Sequence, residues 1–231
     1  MDAHAPTFGL LLFPGLTQLD LTGPYEVLAR VPGAKVHLIW KTLDPVAADT
    51  GMRILPTTTF ADCPDLDLLL VPGGVGVNEQ MGDAETLAFL RERARRTRHL
   101  ASVCTGALVL GAAGLLKGRR AGTHWASRGF LEPFGAIPVA ERVVIDGALF
   151  TGGGVTAGID IALRIVGSLL GDPVAKGIQL SIEYDPHPPY DAGSPERAGA
   201  AETDAMRACM APMLESRAAA VRAAVAALER A

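Results

Sequence analysis

The sequence predicts an α/β fold of the doubly wound kind, a mostly parallel sheet with helices on both faces and a C-terminal helical extension. Three observations carry that expectation. Residues 8–13 and 68–71 are unbroken apolar runs without alternation, the pattern of strands buried on both faces of a parallel sheet. Segments of helical period stand between runs of this kind. Glycines cluster where strands end, in Pro14-Gly15, Pro72-Gly73-Gly74 and Gly152-Gly153-Gly154, and open sheets of this class bind ligands outside the strand carboxyl ends.

Each element has a local warrant. The first strand stops at Pro14-Gly15. Gln18-Leu19-Asp20-Leu21-Thr22-Gly23-Pro24 then leads into helical spacing over 25–30, with Thr22 as its cap and Pro24 tolerated in its first turn. Gly33 ends that helix, and 35–40 is the second strand. Asp49-Thr50-Gly51 turns a hairpin within 46–56. After the strand at 67–71, Asp83 caps a helix over 84–98. His99-Leu100-Ala101 ends a strand that runs into Ser102-Val103-Cys104-Thr105-Gly106 and a helix over 107–113. A short strand at 120–123, a helix over 125–134, and two strands within 141–151 joined at Asp146-Gly147 follow. Helices over 156–170 and from Asp172-Pro173 to Ser181 complete an α/β domain spanning 1–183. Residues 184–231 read as a Pro-rich linker and an Ala-rich helix over 206–230 that packs on the body or on a partner subunit.

Composition narrows the function. The 231 residues are 49% hydrophobic, enough for a large core, and the net charge of −4 argues against nucleic acid or an anionic membrane as partner. Cys63, Cys104 and Cys209 make an odd count without C-x-x-C spacing, so a reducing cytoplasm is expected rather than a disulfide or zinc framework. His4, His37, His99 and His187 show no ligand spacing, and no metal site is expected. The N-terminal residues carry no basic run, and the first apolar stretch is too short for a signal core or a membrane span.

Chemistry centres on Cys104. A cysteine at a tight strand-to-helix turn, with small residues on both sides, is the thiol counterpart of the G-x-S-x-G elbow. The turn lifts the side chain from the packed layer, and free N–H groups at the helix start are expected to lower the thiol pKa. Asp20, Gly73-Gly74, Cys104 and Gly152 to Gly154 all follow predicted strands and should converge on one crevice, which favours Cys104 as a nucleophile over a packing residue. Asp20 sits among apolar residues that would raise its pKa and suit it to acid/base work, although capping a helix is an equal reading. Gly73 and Gly74 offer N–H groups for an oxyanion hole or simply make a turn. Thr105 either donates to substrate or caps its own helix. His124 is either a base for the thiol or a structural histidine. Cys63 and Cys209 have no such setting and read as packing residues.

Taken together, Asp20-Leu21-Thr22-Gly23-Pro24, Val71-Pro72-Gly73-Gly74, Ser102-Val103-Cys104-Thr105-Gly106 and Thr123-His124-Trp125, after an apolar first strand, resemble the ThiJ/PfpI superfamily over about residues 7–181. That resemblance implies a flavodoxin-like, class I glutamine-amidotransferase-like fold. It extends to the superfamily's isocyanide hydratases through Gly111-Ala112-Ala113-Gly114-Leu115-Leu116, Gly152-Gly153-Gly154-Val155-Thr156-Ala157-Gly158-Ile159-Asp160 and Pro188-Pro189-Tyr190-Asp191-Ala192-Gly193-Ser194-Pro195. The hydratases imply Cys104 as nucleophile, Asp20 as acid/base, an isocyanide and water as substrates, no cofactor, and a homodimer. Gly73, Gly74, Thr105 and Val155 would line the substrate and oxyanion site, with His124 as an accessory. Many relatives carry glutamate where this chain has Asp20, which favours the hydratases. A thiol amidase, hydrolase or glyoxalase and a non-catalytic redox sensor or ligand-binding domain are the alternatives. Similar domains also begin AraC-type regulators, but the residues after Tyr184 are too few and too acidic for a helix-turn-helix module, with seven Asp/Glu against five Arg.

Overall fold

The computed structural model describes residues 5–230; His4 and the N-terminal residues used above lie outside them. β1 (Thr7–Leu11) is followed by α1 (Gln18–Leu28), β2 (Lys35–Trp40), a hairpin of β3 (Val46–Ala47) and β4 (Arg53–Ile54), and β5 (Thr58–Thr59). Then come β6 (Leu68–Val71), α2 (Val77–Gln80), α3 (Ala84–Ala94), β7 (His99–Ser102) and α4 (Gly106–Ala112). β8 (Arg120–Ala121), 3₁₀ turns at Trp125–Phe130 and Glu132–Phe134, β9 (Ile137–Pro138), β10 (Val143–Asp146) and β11 (Leu149–Gly152) lead to α5 (Ala157–Leu170) and α6 (Asp172–Ser181). A short α7 (Pro195–Ala198) and a long α8 (Ala200–Leu228) follow.

Seven strands form one sheet in the order β10-β11-β7-β6-β1-β2-β5. All pairings in it are parallel except β10 with β11. Every residue of β6 is buried, as a strand between two helix layers must be. α1, α5 and α6 pack together as one layer, and α2, α3, α4 and α8 as the other. The chain winds from β1 to β2 on one side and from β6 to β7 on the other, so its direction across the sheet reverses beside β1. The segments after β1, β6, β7 and β11 therefore open at one end of the sheet, where doubly wound folds bind ligands. Close packing of α1 on α5 holds α1 over that opening: a Cβ at Gly158 would stand 2.9 Å from Pro24 Cδ.

Four expectations need correction. α1 starts at Gln18, with Thr17 at its N-cap, so Thr22 lies inside the helix and donates to Gln18 Oε1 at 2.9 Å. Pro24 is an interior residue of this helix, and Asp20 belongs to its first turn. Residues 125–134 form two 3₁₀ turns instead of an α-helix; Gly129 and Pro133 make the stretch a poor α-helix former. The strand at 120–123 is only two residues long, because Gly122 N–H turns away to donate to Thr151 Oγ1 at 2.8 Å. The helix capped by Asp83 ends at Ala94. The hairpin at β3 and β4 and the one at Asp146-Gly147 form as the sequence indicates.

The C-terminal helix packs on the body of its own chain, against α2, α4 and the 3₁₀ turns. Its buried face carries Arg217, Val221 and Ala224. Among the described residues no helix is long and apolar enough to cross a membrane.

Candidate active site

Cys104 occupies the turn between β7 and α4 and is 6% exposed. Its φ of 53° places a non-glycine residue in the left-handed region, a conformation that costs free energy and persists only when neighbours hold it. Two bonds do so. Cys104 N–H donates to Gly153 O at 2.9 Å, and Cys104 C=O accepts from Thr123 Oγ1 at 2.8 Å. The clamp joins the loop after β7 to the loop after β11 and aims the sulfur at the backbone amides of Thr105 and Val155.

Asp20 is fully buried in the first turn of α1. Its Oδ2 accepts from Gly73 N–H at 2.8 Å across 53 residues of sequence, while Oδ1 has no hydrogen-bond partner at bonding geometry. Burial pushes this carboxyl up to about 7; the Gly73 amide and the Cys104 thiol facing it pull it part of the way back, and Asp49 adds to the rise. The expected lowering of the Cys104 pKa does not occur. Burial and the facing Asp20 push the thiol up to about 12, outweighing the amides of Thr105 and Val155. The two groups face each other in one site and titrate as a coupled pair.

Gly73 is the residue that lets the two meet. A Cβ there would stand 2.5 Å from Thr105 N and 2.7 Å from Asp20 Oδ2. Its amide is spent on Asp20, and Gly74 N–H donates to Thr105 Oγ1 at 3.1 Å. Neither glycine amide is therefore free for an oxyanion, because each already has an acceptor. Thr105 does not cap α4; its hydroxyl is tied to Gly74. Val155 contributes its backbone amide at the sulfur.

His124 stands beside Gly154, where a Cβ would meet its Cδ2 at 2.8 Å. Its Nδ1 accepts from Ala126 N–H at 3.3 Å, capping the 3₁₀ turn. Burial and the nearby Arg217 lower its pKa, so the ring is neutral at ordinary pH. Cys63 is buried, with its thiol donating to Pro64 O at 3.5 Å, and Cys209 is exposed on α8 rather than packed. Among the described residues no cluster of three or more His, Cys, Asp or Glu could hold a metal ion.

Arg217 of α8 was not anticipated. It is 2% exposed and reaches the crevice: Nη2 donates to Gly74 O at 3.2 Å, Nη1 to Ser127 Oγ at 3.0 Å and Nε to Asn78 Oδ1 at 3.1 Å. One signal was present. Arg217 shares a helical face with Val221, Ala224 and Leu228, a cation on an otherwise apolar stripe. Nearby, a cavity of about 390 Å³ is lined by Thr123, Trp125, Gly153 and Gly154 and by the tail at Gly193 to Arg197.

The DJ-1/PfpI family model matches residues 8–168. Isonitrile hydratase of Pseudomonas putida is 56% identical over 209 residues, covering 90% of this chain and 92% of that protein. The HTH-type transcriptional regulator GbdR of Pseudomonas aeruginosa is 31% identical over 80% of this chain but only 52% of its own length. A crystal structure of a ThiJ/PfpI family protein from Pseudomonas syringae superposes with a TM-score of 0.91 at 45% identity, covering 94% of this chain and 90% of that one. This chain belongs to the DJ-1/PfpI family.

Proposed function

We propose that the protein is an isocyanide hydratase, adding water to an organic isocyanide, R–N≡C, to release the N-substituted formamide, R–NH–CHO. The observation that carries this reading is the buried carboxyl of Asp20 facing the thiol of Cys104. The identity to isonitrile hydratase of P. putida across nearly the full length of both chains supports the substrate class.

In this reading the active pair carries one proton and one negative charge. Asp20 takes the thiol proton as the sulfur attacks the terminal isocyanide carbon, then delivers it to that carbon. The step leaves a thioimidate, R–N=CH–S–Cys104, beside ionised Asp20. Asp20 next draws a proton from a water that adds to the same carbon and passes it to the imine nitrogen. The hydroxyl of the tetrahedral adduct gives its proton to Asp20 as the C–S bond breaks. Formamide leaves and the pair again holds one proton. The amides of Thr105 and Val155 steady negative charge on sulfur at both ends of the cycle. Cys104, Asp20 and water account for every bond and proton.

The chain is proposed to act in the cytoplasm as a homodimer, to which the exposed Leu180, Leu170 and Ile145 offer apolar surface. The test is to incubate the reduced protein with a simple alkyl isocyanide and follow formamide by NMR. Multiple turnovers are expected; no product would remove the assignment.

A further inference from the structure

Burying a guanidinium is costly unless an opposite charge accompanies it. Arg217 has three hydrogen-bond acceptors, and all are neutral: an amide, a hydroxyl and a backbone carbonyl. Each nitrogen of the guanidinium has an acceptor, and its charge has no partner of opposite sign among them. No carboxylate forms an ion pair with it among the described residues. Cys104 at the elbow and His124 before the 3₁₀ turn interact with Arg217, and Asp20 from α1 and Asp49 from the β3–β4 hairpin stand behind Cys104.

We infer that Arg217 is a positioning residue of the active site: it supplies the counter-charge to the single negative charge shared by Asp20 and Cys104, and it tips that charge onto sulfur. The connection is short. Gly74 O accepts from both Arg217 Nη2 and the Thr105 hydroxyl, and Thr105 is the neighbour of Cys104 whose amide faces the sulfur. Arg217 also ties Gly74, Ser127 and Asn78 together, fixing the loop after β6 to the 3₁₀ turn and to α8. Burial lowers the guanidinium pKa and negative charge at Cys104 raises it again; by reciprocity the cation favours thiolate. Asp20 takes its shift from burial, Gly73, Cys104 and Asp49. His124 is neutral and adds no competing charge. The C-terminal helix is thereby part of the catalytic apparatus.

The inference rests on the Asp20–Cys104 pair, and its test reads thiol ionisation instead of turnover, so the two can fail separately. The full chain is titrated by thiolate absorbance and by the rate of iodoacetamide alkylation, read on the Cys104 peptide by mass spectrometry, with folding checked by circular dichroism. Arg217→Gln keeps hydrogen-bonding capacity and removes the charge; alkylation should slow about tenfold at a fixed pH, a rise of about one unit in the ionisation midpoint. Arg217→Lys should stay within about threefold of native. Asn78→Asp leaves the arginine in place and sets a carboxylate against its Nε; it should shift the midpoint in the same direction as Arg217→Gln, and it tests the claim even if Arg217→Gln fails to fold. Native profiles for the folded charge-removing variants would overturn the inference, as would Arg217→Lys reacting as slowly as Arg217→Gln. An unchanged Cys104 titration in Asp20→Asn would instead strike the pair itself.

Discussion

Cys104 and Cys63 are both buried thiols whose pKa is pushed up by burial, yet their surroundings differ in every respect that matters to chemistry. Cys63 lies in an Asp-Cys-Pro turn, with relaxed backbone and its S–H directed at the next carbonyl. Cys104 is held at positive φ by clamps from two other loops, faces a carboxyl able to take its proton, and has two amides directed at its sulfur. Burial by itself silences a thiol. In the proposed cycle a proton acceptor inside the same dry space turns that penalty into a pair that exchanges one proton. The strained turn keeps the pair aligned.

The largest effect that could break this contrast is on turnover. Cys104→Ser should abolish formamide production in a steady-state assay, while Cys63→Ser should stay within about twofold of native. Loss of activity in the second variant, in folded protein, would mean that the elbow is not the distinguishing feature.

The next effect is on pH dependence. In the proposed cycle the doubly protonated pair is inactive, and its first proton leaves as Asp20 ionises near 7. kcat/KM should therefore rise about tenfold per unit below about pH 7 and level off above it. A profile flat from about pH 5 to 8 would contradict the shared proton.

A smaller effect appears in stability. The folded pKa of Asp20, about 7, lies above the ordinary carboxyl value of 3.8, so folding takes up a proton between them. The contribution of this group is fully present below about pH 4 and is lost as pH rises through about 7. Asp20→Asn cannot ionise and escapes that loss. Its Tm should exceed that of the native protein by several degrees at about pH 8, with the gap closing as pH falls toward 4. Equal melting temperatures across the range would show that the buried carboxyl is not the penalised group.

The smallest effect is at His124. Because Nδ1 caps the 3₁₀ turn and the ring is neutral, His124→Ala should leave turnover within about threefold. A loss of a hundredfold would move the base from Asp20 to the histidine.

Much of the fold was legible because local pattern and global architecture agree. Unbroken apolar runs such as Leu68–Val71, ended by Pro and Gly, suit strands covered on both faces, and glycines after them mark the crevice. The elbow was legible for the same reason: a sharp turn needs small neighbours, and Ser102, Thr105 and Gly106 supply them. What stayed hidden depends on long-range contacts. Thr22 looked like a cap because Pro24 suits a first turn, but packing of α1 against α5 carries the helix through the proline. The bond from Gly73 to Asp20 and the reach of Arg217 to Gly74 join residues far apart in sequence, with no local signature. The thiol pKa was misjudged in sign because helix-start amides are visible in sequence, whereas the depth of burial is not.

The central claim is that Asp20 carries the proton for Cys104. It is tested most directly by alkyl isocyanide hydration in Asp20→Asn, assayed beside the native protein from about pH 6 to 10. Hydration should fall at least about a hundredfold, a loss that no pH restores, in a protein that folds and melts at or above the native temperature. Turnover within tenfold of native at any pH would contradict it.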